Sequence, residues 1–117
     1  MKETEIKKIL VPINYDEISK NALDLAITIS RRHNAIIQLI HVVDSYQYIS
    51  FSRHGLLINF SKKAIISSET RRLRRFANEV LDNPTDLYSV ECRAGDISRA
   101  IVEAAHDLES DLIIMGI

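Results

Sequence analysis

Three short stretches of this chain carry groups that could do chemistry. Leu112-Ile113-Ile114-Met115-Gly116 is an apolar run that leads into a glycine. That is the pattern of a buried strand delivering its backbone to a phosphate-binding turn, where successive amides meet an anion. Pro12-Ile13-Asn14-Tyr15-Asp16 follows a second apolar run, and His41-Val42-Val43-Asp44 closes a third. Asp16 and Asp44, at two strand ends, have the type needed to bind magnesium; the preferred reading is that Asp16 caps a helix and Asp44 begins a turn. His41 has no second His, Cys or carboxylate at ligand spacing, and it reads as an ordinary strand residue. His33, His54 and His106 are scattered and read as surface or loop residues. The single cysteine, Cys92, leaves no intrachain disulfide or Cys-rich zinc site to form and reads as a small hydrophobe within a strand.

Two further clusters invite a function. Arg71-Arg72 and Arg74-Arg75 have the charge for phosphate or nucleic acid. Leu73 and Phe76-Ala77 face inward, so the arginines fan across an outer helix face among Glu69, Glu79 and Asp82, and read as solvated and ion-paired. Tyr46, Tyr48 and Phe51, with Phe60 nearby, enrich a long loop of the kind that often serves function; a lid, a partner surface and a satellite cluster on the sheet all remain open. No Ser-His-Asp arrangement, Cys-His pair, Walker loop or Gly-x-Gly-x-x-Gly occurs. Nothing supplies a catalytic nucleophile or base, and the expectation is a protein that acts by binding, not turnover.

Composition narrows the class. A chain of 117 residues suffices for one domain and one modest core. A formal charge of −1 provides no global field to recruit nucleic acid. No apolar run approaches the roughly 20 residues of a membrane span, and the polar start Met1-Lys2-Glu3-Thr4-Glu5 has no signal-peptide core. A cytoplasmic protein with neither nucleic-acid nor membrane partners is expected.

The elements that must position these residues follow from periodicity. Ile6 to Ile13 reads as a strand ending near Pro12, which cannot donate to a ladder. Asp16 or Ser19 caps a helix carrying Ala22, Leu23, Leu25, Ala26, Ile29 and Ser30 at helical spacing. It ends at Arg31-Arg32-His33, cations suited to the helix dipole, with Asn34 as a left-handed cap. Ala35 to Val43 is a second strand, apolar at nearly every position and so covered on both faces. After a loop over 44–55, a helix runs from Ser61 to Asp82 with Ile65, Ile66, Leu73, Phe76, Ala77, Val80 and Leu81 on its apolar face, stopped by Asn83-Pro84. Leu87 to Cys92 alternates like a less buried edge strand. Gly95-Asp96 is read as a turn, Asp96 or Ser98 as a cap, and Ile97, Ala100, Ile101, Ala104, Ala105 and Leu108 as the inward side of a third helix. Leu112 to Met115 is the fourth strand. The β-α-β-α-β-α-β order predicts an α/β fold, an open parallel Rossmann-like sheet with helices on both faces. The first strand should be central, with the second and fourth flanking it and the third at an edge. Ligands of such sheets bind beyond the carboxyl ends of the strands at a topological switch point, where Pro12–Asp16, His41–Asp44 and Met115-Gly116 converge.

Those segments resemble the universal stress protein family. Ile9-Leu10-Val11-Pro12-Ile13-Asn14 is similar to its opening strand and Leu39-Ile40-His41-Val42-Val43-Asp44 to its second. Gly95-Asp96-Ile97, Ile101, Ala104-Ala105 and Ser110-Asp111-Leu112-Ile113-Ile114-Met115-Gly116 are similar to its last helix and fourth strand. The resemblance covers nearly all of the chain and implies an adenine-nucleotide-binding type of fold with a five-stranded parallel sheet. It implies a stress-response module, some of whose members bind ATP while others do not. Carried over by position, the binding residues are Pro12, Ile13, Asn14, Val42, Met115 and Gly116, with no catalytic residue and no metal ligand. The Met-Gly pair would open a loop of the form G-x2-G-x9-G-[ST] that holds the phosphates. Asn14 stands where the family pattern has an acidic residue. The chain stops at Ile117, before the later glycines and the fifth strand, so 1–117 is expected to be a single, C-terminally incomplete domain. The resemblance allows ATP in a complete domain, and no cofactor is expected in this piece. The resemblance also implies a homodimer, with the alternative of a dimerisation or scaffold module that binds no nucleotide, and a weak ATPase as a third reading.

Overall fold

The computed structural model describes residues 5–44 and 62–116. Four strands and three helices alternate in this range: β1 Lys8–Pro12, α1 Glu17–His33, β2 Ile36–Asp44, α2 Lys62–Val80, β3 Tyr88–Gly95, α3 Ile97–Asp107 and β4 Leu112–Ile113. The sheet order is β3-β2-β1-β4 and every pairing is parallel, as the alternation of elements predicted. Registers run Lys8↔Ile36 through Pro12↔Ile40, Ile9↔Leu112, and Ile37↔Tyr88 through Asp44↔Gly95. Ser61, His54 and the aromatic residues Tyr46, Tyr48, Phe51 and Phe60 lie outside the described residues, as does the proposed loop beyond Asp44.

The two faces of the sheet follow from strand alternation. Ile9, Val11, Ile37 and Leu39 point to one face and pack with Leu23 and Ala26 of α1 and Leu73 and Ala77 of α2. Leu10 and Ile40 point to the other, against Ile101 and Ala104 of α3. Leu73 is fully buried, a burial that favours the folded state by about 1.5–3 kcal/mol for a side chain of this size.

Local chemistry sets the ends of the elements. Asp16 is the cap of α1, its carboxylate accepting the Ser19 amide at 2.7 Å, whereas Ser19 is buried inside the helix. Asn34 closes α1 at φ 53°, ψ 41° and donates its N–H to the Ser30 carbonyl. Asp96 caps α3 by accepting the Arg99 amide at 3.0 Å.

Several expectations need correction. β3 continues past Cys92 to Gly95, because its edge position lets it track β2 to Asp44; Gly95 therefore ends a strand at φ 139° instead of forming a turn. β4 is two residues long, with Ile114 adding one more bond to the Leu10 carbonyl at 3.0 Å. α2 ends at Val80, and Leu81 is buried just beyond it. Leu25 and Ile97, assigned to inward faces, are about half exposed. β2 is also not uniformly apolar. Gln38 is buried on the α3 face, where its Nε2 donates to the Leu108 carbonyl at 3.2 Å and its Oε1 accepts the Ser110 hydroxyl at 2.5 Å. A buried amide with both ends satisfied costs little and ties β2 to the turn that delivers β4.

Candidate functional site

β1 lies between β2 and β4, and the chain leaves its two edges by crossovers in opposite directions. That divergence opens a crevice at the carboxyl ends of the strands. A cleft of about 240 Å³ occupies it, and Pro12, Ile13, Asn14, Val42, Met115 and Gly116 all line it. Asp16, Ser19 and His41 join them, with Ile18, Ile40, Ile97 and Ile101 as apolar wall. Ile97 is about half exposed because it stands at this opening and not against the core.

The wall from Pro12 to Asp16 is built by its own sequence. Proline ends the β1 ladder, yet Ile13 still donates its amide to the Ile40 carbonyl at 2.8 Å. Asn14 Oδ1 accepts the Asp16 amide at 3.2 Å, a side-chain turn that asparagine makes readily. The Ser19 backbone amide holds the Asp16 carboxyl below its ordinary range, with help from the Ser19 hydroxyl and the Asn14 amide. On the opposite wall, Gly116 runs against the first turn of α1. A Cβ there would lie 2.0 Å from Ile18 Cγ2 and 3.0 Å from the Ile18 backbone. In this structure the glycine therefore permits the backbone beyond β4 to approach the first turn of α1 closely.

Among the described residues, no lysine or arginine lines the cleft. The amide-rich starts of α1 and α3 are occupied by their own aspartate caps, so neither offers its positive end freely to an anion. The site is an apolar slot with a few polar groups at one rim. That suits a flat, uncharged group better than a polyphosphate. Among the described residues, no group of three or more His, Cys, Asp or Glu side chains could hold a metal ion.

Two residues have more specific places than their sequence suggested. His41 is a strand residue, but its Nδ1 lies 2.7 Å from the Ile13 carbonyl. A carbonyl can only accept, so Nδ1 carries the proton. Arg72 is exposed, but its guanidinium stacks 4.0 Å over the Tyr15 ring; the solvated-face reading holds for its exposure and misses this contact. Burial pushes the Tyr15 hydroxyl up to about 12, with Glu69 and Cys92 adding and Arg72 and Arg75 opposing. Glu69, Arg72 and Phe76 recur at helical spacing on one side of α2, a signal that was legible in the sequence. The partner they meet was not. Cys92 is buried, and burial, with Glu69 and Glu91 nearby, raises its thiol to about 11. It sits within β3 as a small, buried side chain.

The model of the universal stress protein family matches residues 5–117. Universal stress protein A homolog 1 of Coxiella burnetii (strain RSA 493 / Nine Mile phase I) is 24% identical over 110 residues, covering 94% of this chain and 75% of that protein. Among solved structures, universal stress protein UspA from Lactobacillus plantarum is similar with a TM-score of 0.69 at 22% identity, over 96% of this chain and 77% of that one. A universal stress protein solved in complex with cAMP is similar with a TM-score of 0.55 at 17% identity, over 96% of this chain and 73% of that one. At such identities the structural likeness is one of fold.

Proposed function

The chain belongs to the universal stress protein family, and from that premise we propose that its cleft holds the nucleoside part of an adenine nucleotide within a stress-response module that acts through partners. The observation that carries this reading is convergence. Six residues from three distant segments line one cleft at the switch point of the sheet. The cAMP complex of a protein with the same fold supports an adenine-type ligand.

The chemistry of the cleft defines which part of the ligand it engages. At about 240 Å³ it falls below the range of about 300–1,000 Å³ typical of pockets that enclose a whole small molecule. Ile18, Val42, Ile97 and Met115 offer apolar surface to a purine face, while Asn14 and Asp16 offer polar atoms to its edge or to the ribose. With no lysine or arginine in the lining among the described residues and both helix starts self-capped, phosphates gain little from these residues. Adenosine, AMP and ATP should therefore bind residues 1–117 alike, no tighter than about millimolar, or about −4 kcal/mol. Titration of the labelled protein by NMR, following the Asn14 and Gly116 amides, tests this. Micromolar ATP with adenosine a hundredfold weaker would refute it by showing that the phosphates are the anchor. Cytoplasmic location belongs to the same proposal. Separately, no helix among the described residues is long and apolar enough to cross a membrane.

A second reading, self-association as a scaffold, rests on β4. It is an outer strand of the described sheet, and Ile113 and Met115 are 39% and 50% exposed. An edge of this kind presents unpaired backbone to another chain. Ile114 packs against the core, so Ile113→Lys is the substitution that should weaken a dimer. Sedimentation showing a monomer at about 100 μM, well above micromolar affinities, would refute this reading.

A further inference from the structure

Asn14 and Asp16 line the cleft, but Tyr15 between them is engaged under α2. Its backbone sits at φ 69°, the left-handed region that a residue with a Cβ adopts at a cost. Three side chains hold its ring: Arg72 stacks on it at 4.0 Å, Phe76 meets it edge-on with centroids 5.4 Å apart, and His41 is tilted beside it at 5.3 Å. His41 also donates Nδ1–H to the Ile13 carbonyl at 2.7 Å. Its Nε2 lies 3.5 Å from Glu69 Oε2, which in turn is 3.7 Å from Arg72. The backbone on both sides of Asn14 is thus gripped by residues of β2 and α2. These act from the face of the sheet opposite α3.

We propose that His41 and Tyr15 are positioning residues for the cleft. His41 holds the Ile13 carbonyl, and the Arg72–Phe76 clamp holds the Tyr15 ring. Together they keep the strained turn in the one shape that presents Asn14 and Asp16 to a nucleoside. Glu69 lies beside both His41 and Arg72, so the helix face Glu69-Arg72-Phe76 sets the geometry of a site it does not touch. The inference rests on the nucleoside reading of the cleft, and it adds control of that cleft from α2.

The test uses residues 1–117 and adenosine as the probe, with the backbone amides of Asn14 and Asp16 followed by NMR before and after ligand. His41→Leu removes the donor to Ile13. It should shift the Asn14 amide in the ligand-free protein and weaken adenosine about tenfold, equivalent to about 1.4 kcal/mol. His41→Asn places an amide donor near the Nδ1 position and should restore both. Arg72→Met, on the exposed surface of α2, removes the stacking cation; it should move the Asp16 amide and weaken adenosine several-fold while the protein still unfolds cooperatively. Wild-type amide positions and affinity in both His41→Leu and Arg72→Met would overturn the proposal. So would a folded His41→Asn that behaves like His41→Leu. If His41→Leu does not fold, Arg72→Met decides alone. If adenosine does not bind the wild type, the nucleoside reading fails, and the ligand-free amide shifts still decide the positioning role.

Discussion

Replacing Gln38 with leucine tests how the sheet holds β4, and with it Met115 and Gly116, in register at the cleft. Gln38 is 5% exposed and makes two neutral hydrogen bonds, to the Leu108 carbonyl at 3.2 Å and from the Ser110 hydroxyl at 2.5 Å. A neutral hydrogen bond contributes about 0.5–1.5 kcal/mol net, and an orphaned buried partner costs about 1–3 kcal/mol. Leucine fills the space but leaves both partners unpaired. Leu108 and Ser110 are only half-buried, so water can reach them in part, which places the expected loss at the low end, about 1–2 kcal/mol. Ser110→Ala alone should cost about 1 kcal/mol, because it orphans the buried Gln38 oxygen. In the double variant neither group has a lost partner to miss at that end, so the two costs should overlap by about 1 kcal/mol, within the range for residues in contact. Urea unfolding measures this as a fall in midpoint at constant slope, and a loss of 1 kcal/mol should lower the thermal midpoint by about 4 °C in a chain of this size. Additivity of the two single variants to within about 0.5 kcal/mol would refute the reasoning, since it would mean the amide and hydroxyl do not act on each other.

Three further outcomes are expected. Gly116→Ala should destabilise by about 1–3 kcal/mol through overpacking against Ile18. The cost should shrink in an Ile18→Ala background, and equal costs in both backgrounds would locate the strain elsewhere. Asp111 accepts the Lys7 and Lys8 amides at 2.8 and 3.0 Å, which hold its carboxyl below the ordinary value, as the Ser19 amide does for Asp16. A carboxyl depressed in the folded state contributes stability that is fully present above its unfolded value near pH 4 and is lost as pH falls through the folded value. The urea midpoint should therefore drop on acidification below about pH 4, and Asp111→Asn should flatten that fall; an unchanged acid limb would contradict it. Cys92, raised to about 11 by burial, should react with iodoacetamide at pH 8 far more slowly in the folded than in the urea-unfolded chain, and equal rates would show the thiol exposed.

Much of the architecture was present in local pattern. A continuous apolar run at Ile9-Leu10-Val11 and a nearly continuous one over Ala35–Val43 meant strands covered on both faces, alternation in Leu87–Cys92 meant an edge, and the β-α order admitted a parallel sheet with β1 central. The caps were legible too, because Asp16, Asn34 and Asp96 act on backbone within a turn of themselves. Strand ends were less so. How far β3 runs depends on its neighbour β2, not on its own residues, and that carried it to Gly95.

The candidate site divides in the same way. The chain order of Pro12–Asn14, Val42 and Met115-Gly116 was enough to expect them at one sheet edge, since strand-end segments in a parallel sheet share one side by construction. What those residues face was decided only in three dimensions. Gln38 reads as a polar interruption in an apolar strand until Leu108 and Ser110 arrive from across the sheet to satisfy it. Tyr15 and Arg72 have no shared local signal, and their stacking exists because β1 and α2 pack on the same face. Gly116 fits a phosphate turn by sequence but is held here against Ile18 by packing. Periodicity and capping are local and are written along the chain. Side-chain partners distant in sequence are chosen by which faces the fold brings together, and only the folded structure specifies them.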